Sequence, residues 1–207
     1  AAGLLRDVPE EIVDRFLEKT LSCRVAPEAE APLHLIYTPL HGTGLEPVTK
    51  TFRRMKGIQF TCVTEQTTPD GHFPTCPKPN PELREALRCG LELAEKENAS
   101  LLIATDPDCD RVAVAVPDGT GYRKLTGNEL GVLLLDYILR TRKAQGTLPA
   151  GGEAICSIVS TPMAGRIARS YGCENVEVLT GFKYIGGEIL RLEGLGQADR
   201  FLFGFEE

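Results

Sequence analysis

Short apolar runs rich in β-branched and aromatic residues alternate with longer amphipathic segments along most of the chain. This alternation most narrows the possible folds, because it is typical of β-α units arranged around mostly parallel sheets. We therefore predict an α/β protein. The expected strands cover residues 33–37, 60–64, 101–105, 112–116, 154–159, 176–179 and 201–203. The expected helices cover 9–21, 46–56 and 126–140, and two more begin at 80 and 161.

Two of these helices carry specific local signals. Asn80 can cap the free amides of a helix whose first residue is Pro81. A helix from there is expected to bury one apolar face, made of Leu83, Leu87, Leu91 and Ala94. The helix at 126–140 is apolar on nearly all sides, so we expect it to be deeply buried.

The chain has 207 residues, enough for one large domain or two small ones, and we favour two. A boundary is expected between Pro117 and Leu125, where the turn residues at 118–121 separate the preceding elements from those that follow. The same turn could instead close a simple hairpin. We place the boundary after Asp118, which gives domains at 1–118 and 119–207.

Three carboxylates, Asp106, Asp108 and Asp110, lie at alternate positions directly after the predicted strand at 101–105. Alternate residues of an extended loop point the same way, so these side chains can converge on one hard cation. Carboxylates this crowded repel one another unless a cation or a proton relieves them. Arg111 adds a guanidinium group suited to a phosphate or a carboxylate. A cation site beside an arginine indicates phosphate chemistry.

Other acidic loops fit this pattern less well. An EF-hand needs glycine at its sixth position and a carboxylate at its twelfth, where this chain has Arg111 and Pro117. A phosphatase of the haloacid-dehalogenase type also places DxD after an apolar strand, but we would expect threonine or valine at the position of Asp110. An acidic surface hairpin with solvated carboxylates is the structural alternative.

Three further motifs follow predicted strands. Glycines in the segment 38–44 (TPLHGTG) would let backbone amides approach an anion, although a strand-to-helix turn needs glycine for its geometry too. His41 in that segment is interpreted as hydrogen-bonding the turn rather than as an acid-base group. The segment 180–187 (TGFKYIGG) can present backbone and Lys183 to a polar ligand. The chain closes with a carboxylate pair, Glu206 and Glu207, that could bind sugar hydroxyls, serve as acid and base, or simply be solvated.

Composition excludes several functional classes. The net charge of -6 and the pI of about 5.3 argue against nucleic-acid binding, which typically requires a basic surface. The seven cysteines are scattered without a C-x-x-C pair, which argues against a disulfide scaffold and a zinc site. No apolar run approaches membrane-spanning length. We expect a cytoplasmic protein with no membrane or nucleic-acid partner.

The ordered set of motifs resembles the α-D-phosphohexomutase family, the phosphoglucomutases and phosphomannomutases. The motifs are TPLHGTG at 38–44, the FP…PNPE loop at 73–82, DPDCDR at 106–111, TGNELG at 126–131, TGFKYIGG at 180–187 and FGFEE at 203–207. The family has four domains around one cleft. The resemblance implies two consecutive three-layer α/β/α domains with mixed, mostly parallel sheets. They are the family's second domain and an incomplete third domain.

The resemblance also assigns roles to residues. It implies that Asp106, Asp108 and Asp110 ligate Mg2+, together with a phosphoserine from the first domain, and that Arg111 sits against that phosphoserine. It places four residues in loops that hold the sugar phosphate: Thr180, Gly181, Lys183 and Glu206. The serine that the family has after the second carboxylate of its sugar loop is absent here, because the chain ends at Glu207. The family's phosphoserine motif and the phosphate-gripping loop of its fourth domain are also absent.

The implied reaction is a two-step phosphoryl transfer. A phosphoserine gives its phosphoryl group to a sugar monophosphate, and the resulting bisphosphate reorients and returns the other phosphate to the serine. We expect this chain to be a fragment that needs domains I and IV, has no mutase activity alone and binds Mg2+ weakly. Two alternatives remain open: a phosphatase with Asp106 as its nucleophile, and a non-catalytic sugar-phosphate-binding module.

Overall fold

The computed structural model describes residues 3–4, 6–26 and 32–207. The chain divides into two compact units, Ala1–Leu125 and Thr126–Glu207. Each unit has its own sheet and its own buried core. Among the described residues, no helix combines the length and the apolar character that crossing a membrane requires.

The first unit is built on a five-stranded sheet in the order β2-β1-β3-β4-β5. Strand β1 runs parallel to β2 and β3, whereas β4 and β5 add in antiparallel fashion at one side. The strands are β1 (Leu33–Thr38), β2 (Ile58–Cys62), β3 (Leu101–Thr105), β4 (Val112–Pro117) and β5 (Tyr122–Lys124). The helices are α1 (Glu10–Ser22), α2 (Leu45–Arg53) and α3 (Arg88–Glu97).

Helices cover both faces of this sheet. Ile36 of β1 belongs to the core beneath α3, where Gly90 lies so close to Leu102 that an added Cβ would stand 2.8 Å from a Leu102 methyl carbon. The next residue, Tyr37, points to the opposite face, because side chains alternate along a strand. There its ring meets that of Phe52 in α2 at a centroid distance of 5.9 Å. The first unit therefore has three layers.

The strand register brings two loops together. In the parallel pair β1 and β3, Thr38 lies opposite Ala104, so both strands end at the same edge of the sheet. The loops that follow them cover residues 39–44 and 106–111. Two of the motifs from the sequence are therefore neighbours at the carboxyl edge, where open α/β sheets bind their ligands.

The second unit has a parallel three-stranded sheet in the order β7-β6-β8. All five residues of the central strand are buried, as expected for a strand covered on both faces. The strands are β6 (Glu153–Ser157), β7 (Glu174–Val178) and β8 (Phe201–Phe205). The helices are α4 (Gly127–Ala144), α5 (Met163–Ser170) and α6 (Phe182–Gly194).

The predicted α/β architecture is confirmed, and each predicted strand is present within two residues of its expected ends. Two elements were not predicted. Strand β5 has only three residues, too few for a recognisable pattern. Helix α6 begins inside the motif at 180–187, where Gly186 and Gly187 favour a loop over a helix.

The helix predicted from Asn80 begins instead at Arg88. The Asn80 side chain does accept a hydrogen bond from the Glu82 amide at 2.9 Å, but this bond closes a local turn. Residues up to 87 form successive turns with bonds to the third preceding residue. That path lets Ala86 pack against Leu40 and Cys76, an apolar contact that outweighs local helix propensity. Leu83 is consequently half-exposed.

The helix predicted as deeply buried is buried on one side only. Thr126 and Glu129 form a capping box at the start of α4, where the sequence predicts that a helix begins. Leu135 and Leu139 are fully buried, whereas Leu133 is 57% exposed and Tyr137 is 41% exposed. A small sheet of three strands offers one face to α4, so the opposite apolar side stays uncovered within this unit.

Replacing Leu135 with alanine is expected to destabilise the second unit by about 2–5 kcal/mol, because it leaves a cavity in a closed core. Leu133→Ala on the same helix removes the same atoms from an exposed side and should change stability by less than about 0.5 kcal/mol. Urea unfolding followed by circular dichroism measures both. Equal effects would show that the assignment of the buried face of α4 is wrong.

The boundary between the units differs from the expected position after Asp118. Residues 118–121 close a hairpin between β4 and β5, with the Asp118 side chain accepting the Thr120 amide at 2.9 Å. Strand β5 therefore belongs to the first sheet. The contacts divide the chain between Leu125 and Thr126, immediately before α4.

Candidate metal and phosphate site

The acidic loop joins β3 to β4 at the carboxyl edge of the first sheet. Asp106 is fully buried, and each of its carboxylate oxygens accepts a hydrogen bond from Arg111 at 2.9 Å, one from the backbone amide and one from Nε. The Cys109 amide donates to the Asp106 carbonyl at 3.0 Å, and Cys109 has a left-handed φ of 65°. These bonds fold six residues into a compact turn.

The turn brings the three predicted metal ligands together. One carboxylate oxygen from each of Asp106, Asp108 and Asp110 lies within 4.8 Å of the other two. Asp108 and Asp110 are exposed, so the open side of the cluster faces solvent. The structure therefore joins three side chains that the sequence only placed at alternate positions.

The carboxylates differ in their affinity for a proton. Burial would raise the pKa of Asp106, but the hydrogen bonds from Arg111 outweigh burial and hold that pKa below its usual range. The hydrogen bond and the charge of Asp106 raise the pKa of Asp110. Protons therefore compete with a cation for Asp110 at a higher pH than for an isolated aspartate.

The donor set suits magnesium. Mg2+ prefers oxygen ligands at about 2.0–2.1 Å, which separates its ligand atoms by roughly 3–4 Å. The oxygens of Asp106, Asp108 and Asp110 need only a small inward adjustment to reach that spacing. Three carboxylates also leave positions on an octahedral ion for water or a phosphate oxygen.

The glycine motif at 38–44 packs against the acidic loop and is hydrogen-bonded to it. Both the amide and the hydroxyl of Thr43 donate to the Pro107 carbonyl, at 2.8 and 3.1 Å. Gly42 approaches so closely that an added Cβ would stand 2.3 Å from the Pro107 Cα. Beneath the loop, the Tyr37 hydroxyl and Thr105 Oγ1 are hydrogen-bonded at 2.9 Å. The glycines of this motif therefore permit loop packing, and an anion is not needed to explain them.

A buried polar network fixes the proline-rich loop at 67–81. Thr38 donates to Gln66 at 2.6 Å, and Gln66 donates to Thr75 at 2.9 Å. His41 is also buried, and its two ring nitrogens lie 3.0 Å from the Thr68 carbonyl and 2.9 Å from Thr75 Oγ1. The interpretation of His41 as a structural residue of the turn is thus consistent with its contacts.

A cavity of about 290 Å³ opens where the acidic and proline-rich loops meet. Its lining combines charged, polar and proline residues, namely Lys78, Pro79, Asn80, Asp106, Pro107, Asp108 and Arg111. The carboxylates and the arginine were predicted as site residues, but Lys78 and Asn80 were not. The turn structure of 81–87 stands directly after these two residues, in place of the predicted helix.

In the second unit, two of the predicted sugar-phosphate residues are in direct contact. The Gly181 amide donates to Glu206 Oε2 at 2.6 Å, which joins the loop after β7 to the end of β8. Gly181 has a φ of 122° and precedes the first turn of α6. Thr180 and Lys183 are exposed beside it, and the Lys183 ammonium lies 4.8 Å from the ring centroid of Tyr184. The contact orients Glu206 and leaves its other oxygen available.

Comparison with protein families gives two matches that together cover most of the chain. The phosphoglucomutase/phosphomannomutase α/β/α domain II matches residues 13–119, and domain III of the same family matches residues 126–207. Both matched segments lie within the corresponding structural units.

Curated relatives carry the same family names. The chain is 40% identical over 218 residues to a probable phosphomannomutase of Haemophilus influenzae, in a match that spans 100% of this chain and 41% of the relative. It is 40% identical to the phosphoribomutase of Saccharomyces cerevisiae, over 99% of this chain and 35% of the relative. It is 35% identical to a phosphoglucomutase of Staphylococcus aureus, over 98% of this chain and 36% of the relative. The chain thus spans well under half the length of these relatives.

Solved structures show the same fold. A phosphoglucomutase/phosphomannomutase family protein of Burkholderia thailandensis superposes with a TM-score of 0.70 at 21% identity, over 87% of this chain and 36% of that one. A putative phosphomannomutase of Thermus thermophilus gives a TM-score of 0.61 at 23% identity, over 95% and 39%. The chain therefore belongs to the α-D-phosphohexomutase family and contains its second and third α/β/α domains.

Proposed function

We propose that the protein containing this chain is a Mg2+-dependent phosphohexomutase. It interconverts a sugar 1-phosphate with the 6-phosphate, or with the 5-phosphate of a pentose, through a phosphoserine and a bisphosphate intermediate. The observation that carries the proposal is the convergence of Asp106, Asp108 and Asp110 beside Arg111 in a chain of this family. The relatives are named for glucose, mannose and ribose phosphates, so the sugar itself stays open.

The first unit supplies the charge pattern for phosphoryl transfer. Bound Mg2+ would neutralise charge on the transferring phosphoryl group, and the three aspartates would hold it. Arg111 uses Nε to fix Asp106, and its side chain, which carries two further terminal guanidinium nitrogens, is half-exposed. Those nitrogens are suited to the oxygens of the serine phosphate. Arg111 thus connects the buried ligand to the reacting group.

The second unit supplies contacts for the sugar phosphate. Glu206, oriented by the Gly181 amide, is suited to accept hydrogen bonds from sugar hydroxyls. Lys183, in the first turn of α6, offers an ammonium to the non-reacting phosphate, and Thr180 lies in the loop that leads into this helix. The phosphoserine and the remaining phosphate contacts would come from segments that the relatives have beyond the portion matched here.

The geometry does not favour the phosphatase alternative. A nucleophilic aspartate needs a free oxygen aimed at phosphorus. Asp106 is fully buried, and each of its oxygens accepts one hydrogen bond from Arg111, which fixes the carboxylate within the loop and leaves a lone pair that a cation can use. A carboxylate held in this way is suited to metal ligation and to positioning Arg111. The geometry gives no argument against the other alternative, a non-catalytic sugar-phosphate-binding module. A measurement of mutase activity distinguishes that module from a mutase.

Turnover measured on the full-length protein tests the proposal. Conversion of glucose, mannose or ribose 1-phosphate, followed by phosphorus NMR, should require Mg2+, should stop with EDTA and should return when Mg2+ is restored. The isolated 207-residue chain should show no turnover. Activity that persists in EDTA would contradict metal dependence. A full-length protein inactive on all three sugars would favour a binding module.

A further inference from the structure

Lys78 lies outside the residues assigned to the metal or the sugar, yet it lines the same cavity as Asp106, Asp108 and Arg111. Its side chain is exposed. Among the described residues, no carboxylate lies within salt-bridge distance of its ammonium, although Asp106 and Asp108 line the same cavity. Lys78 therefore brings to this cavity a positive charge that no ion pair among the described residues neutralises.

The loop that carries Lys78 is fixed on both sides. Prolines flank the residue on both sides, and Pro79 restricts the Lys78 backbone to extended conformations because Lys78 directly precedes it. The Asn80 amide donates to the Lys78 carbonyl at 2.8 Å, which closes a tight turn over the cavity. Upstream, Thr75 is anchored in the buried polar network, and Cys76 packs in the apolar cluster with Leu40. A surface lysine without a role needs no such support.

Charge balance supplies the reason for a second cation. Three carboxylates, one divalent ion and Arg111 sum to zero formal charge. A phosphate monoester brings about two negative charges at pH 7. Lysine is a compact and flexible point charge, suited to following a phosphoryl group that moves between two oxygens. Arginine in the same place would bind more rigidly.

We propose that Lys78 is a phosphate-binding residue that contacts the phosphate monoester held at the Asp106–Asp108–Asp110 metal site. The inference rests on the proposed function, because it takes that metal site as given. It adds a phosphate contact from the proline-rich loop. None of the proposed metal ligands or sugar contacts lies in that loop. Lys78 would recognise the phosphoryl group itself, whether a serine or a sugar carries it.

The test measures metal and phosphate binding separately on the 207-residue chain. Mn2+, a paramagnetic substitute for Mg2+, is titrated by electron paramagnetic resonance. Methyl phosphate and glucose 1-phosphate are then titrated into the Mn2+-loaded chain by phosphorus relaxation. Lys78→Met should weaken both phosphates roughly tenfold or more, which is the range for a hydrogen bond to a charged group. Mn2+ affinity should stay equal or increase, because a positive charge has left the cavity.

Two variants control for trivial effects. Lys78→Arg should retain most of the phosphate affinity, because it keeps the charge. Lys96→Met removes an exposed lysine from α3 in the same unit and should change neither affinity. Circular dichroism establishes that each variant is folded.

Several results would overturn the inference. Unchanged phosphate affinity in Lys78→Met would do so, as would weakening confined to glucose 1-phosphate. Parallel loss of Mn2+ and phosphate would show that Lys78 acts only on loop structure. If the unaltered chain binds Mn2+ but neither phosphate, this inference fails and the metal site stands. If it binds no Mn2+, the proposed metal site fails as well.

Discussion

Gly42→Ala is expected to weaken cation binding at the acidic loop by about 10- to 100-fold, the range for losing a residue that orients metal ligands. The added Cβ would stand 2.3 Å from the Pro107 Cα and 2.5 Å from its carbonyl oxygen. These are backbone atoms between two metal ligands, so the clash cannot be relieved by turning a side chain. The acidic loop must shift away from the glycine motif. We also expect a loss of about 1–3 kcal/mol in stability.

Gly71→Ala is the matched control for this variant. Gly71 lies in the neighbouring proline-rich loop, and no atom lies within 4 Å of its added Cβ. The alanine there should leave both Mn2+ affinity and stability close to those of the unaltered chain. Mn2+ titration and urea unfolding measure the two quantities. A Gly42→Ala variant that matches Gly71→Ala in both would show that the two loops are not packed as described.

Glu153→Ala should produce a large loss of stability in the second unit, about 3 kcal/mol. Glu153 is 2% exposed at the start of β6, and its two carboxylate oxygens lie 2.7 Å from Arg191 Nη2 and 2.9 Å from Arg200 Nη2. Arg200 Nε also donates to the Gly151 carbonyl at 2.6 Å. Removing the carboxylate leaves two guanidinium groups without their shared partner. Because both arginines are partly exposed, the loss should lie at the low end for a broken buried ion pair.

Glu174→Ala provides the comparison, since Glu174 also approaches Arg200. Its side chain is 64% exposed and its oxygen lies 3.7 Å from Arg200 Nη2, so solvent screens the pair. This variant should cost less than about 1 kcal/mol. Chemical denaturation of both variants measures the two changes in the free energy of unfolding. Similar losses would show that burial of Glu153 contributes nothing.

The sequence predicted those features that depend on local patterns. The strands are marked by apolar runs between turn residues, and a helix was expected from residue 126. Both expectations are confirmed, since α4 begins at Gly127. The three aspartates were recognisable because alternate spacing and a following arginine are visible in six residues. Their convergence within 4.8 Å agrees with the pattern, although their role as metal ligands stays a proposal.

The sequence could not predict features that depend on distant contacts. Asn80 and Pro81 form a strong local helix signal, but packing of Ala86 on Leu40 and Cys76 holds this segment in turns. The exposed side of α4 follows from the size of the second sheet, which the composition of the helix does not encode.

Metal binding to the three aspartates tests the central claim most directly. Titration of the 207-residue chain with Mn2+ should show one weak, saturable site from which Mg2+ displaces the ion. The affinity should fall as the pH falls, because the raised pKa of Asp110 lets protons compete. Asp108→Asn combined with Asp110→Asn should abolish the site, whereas Asp199→Asn, at an exposed position of the second unit, should leave it intact. Absence of a saturable site, or its survival in the double variant, would contradict the assignment of these carboxylates as the metal centre.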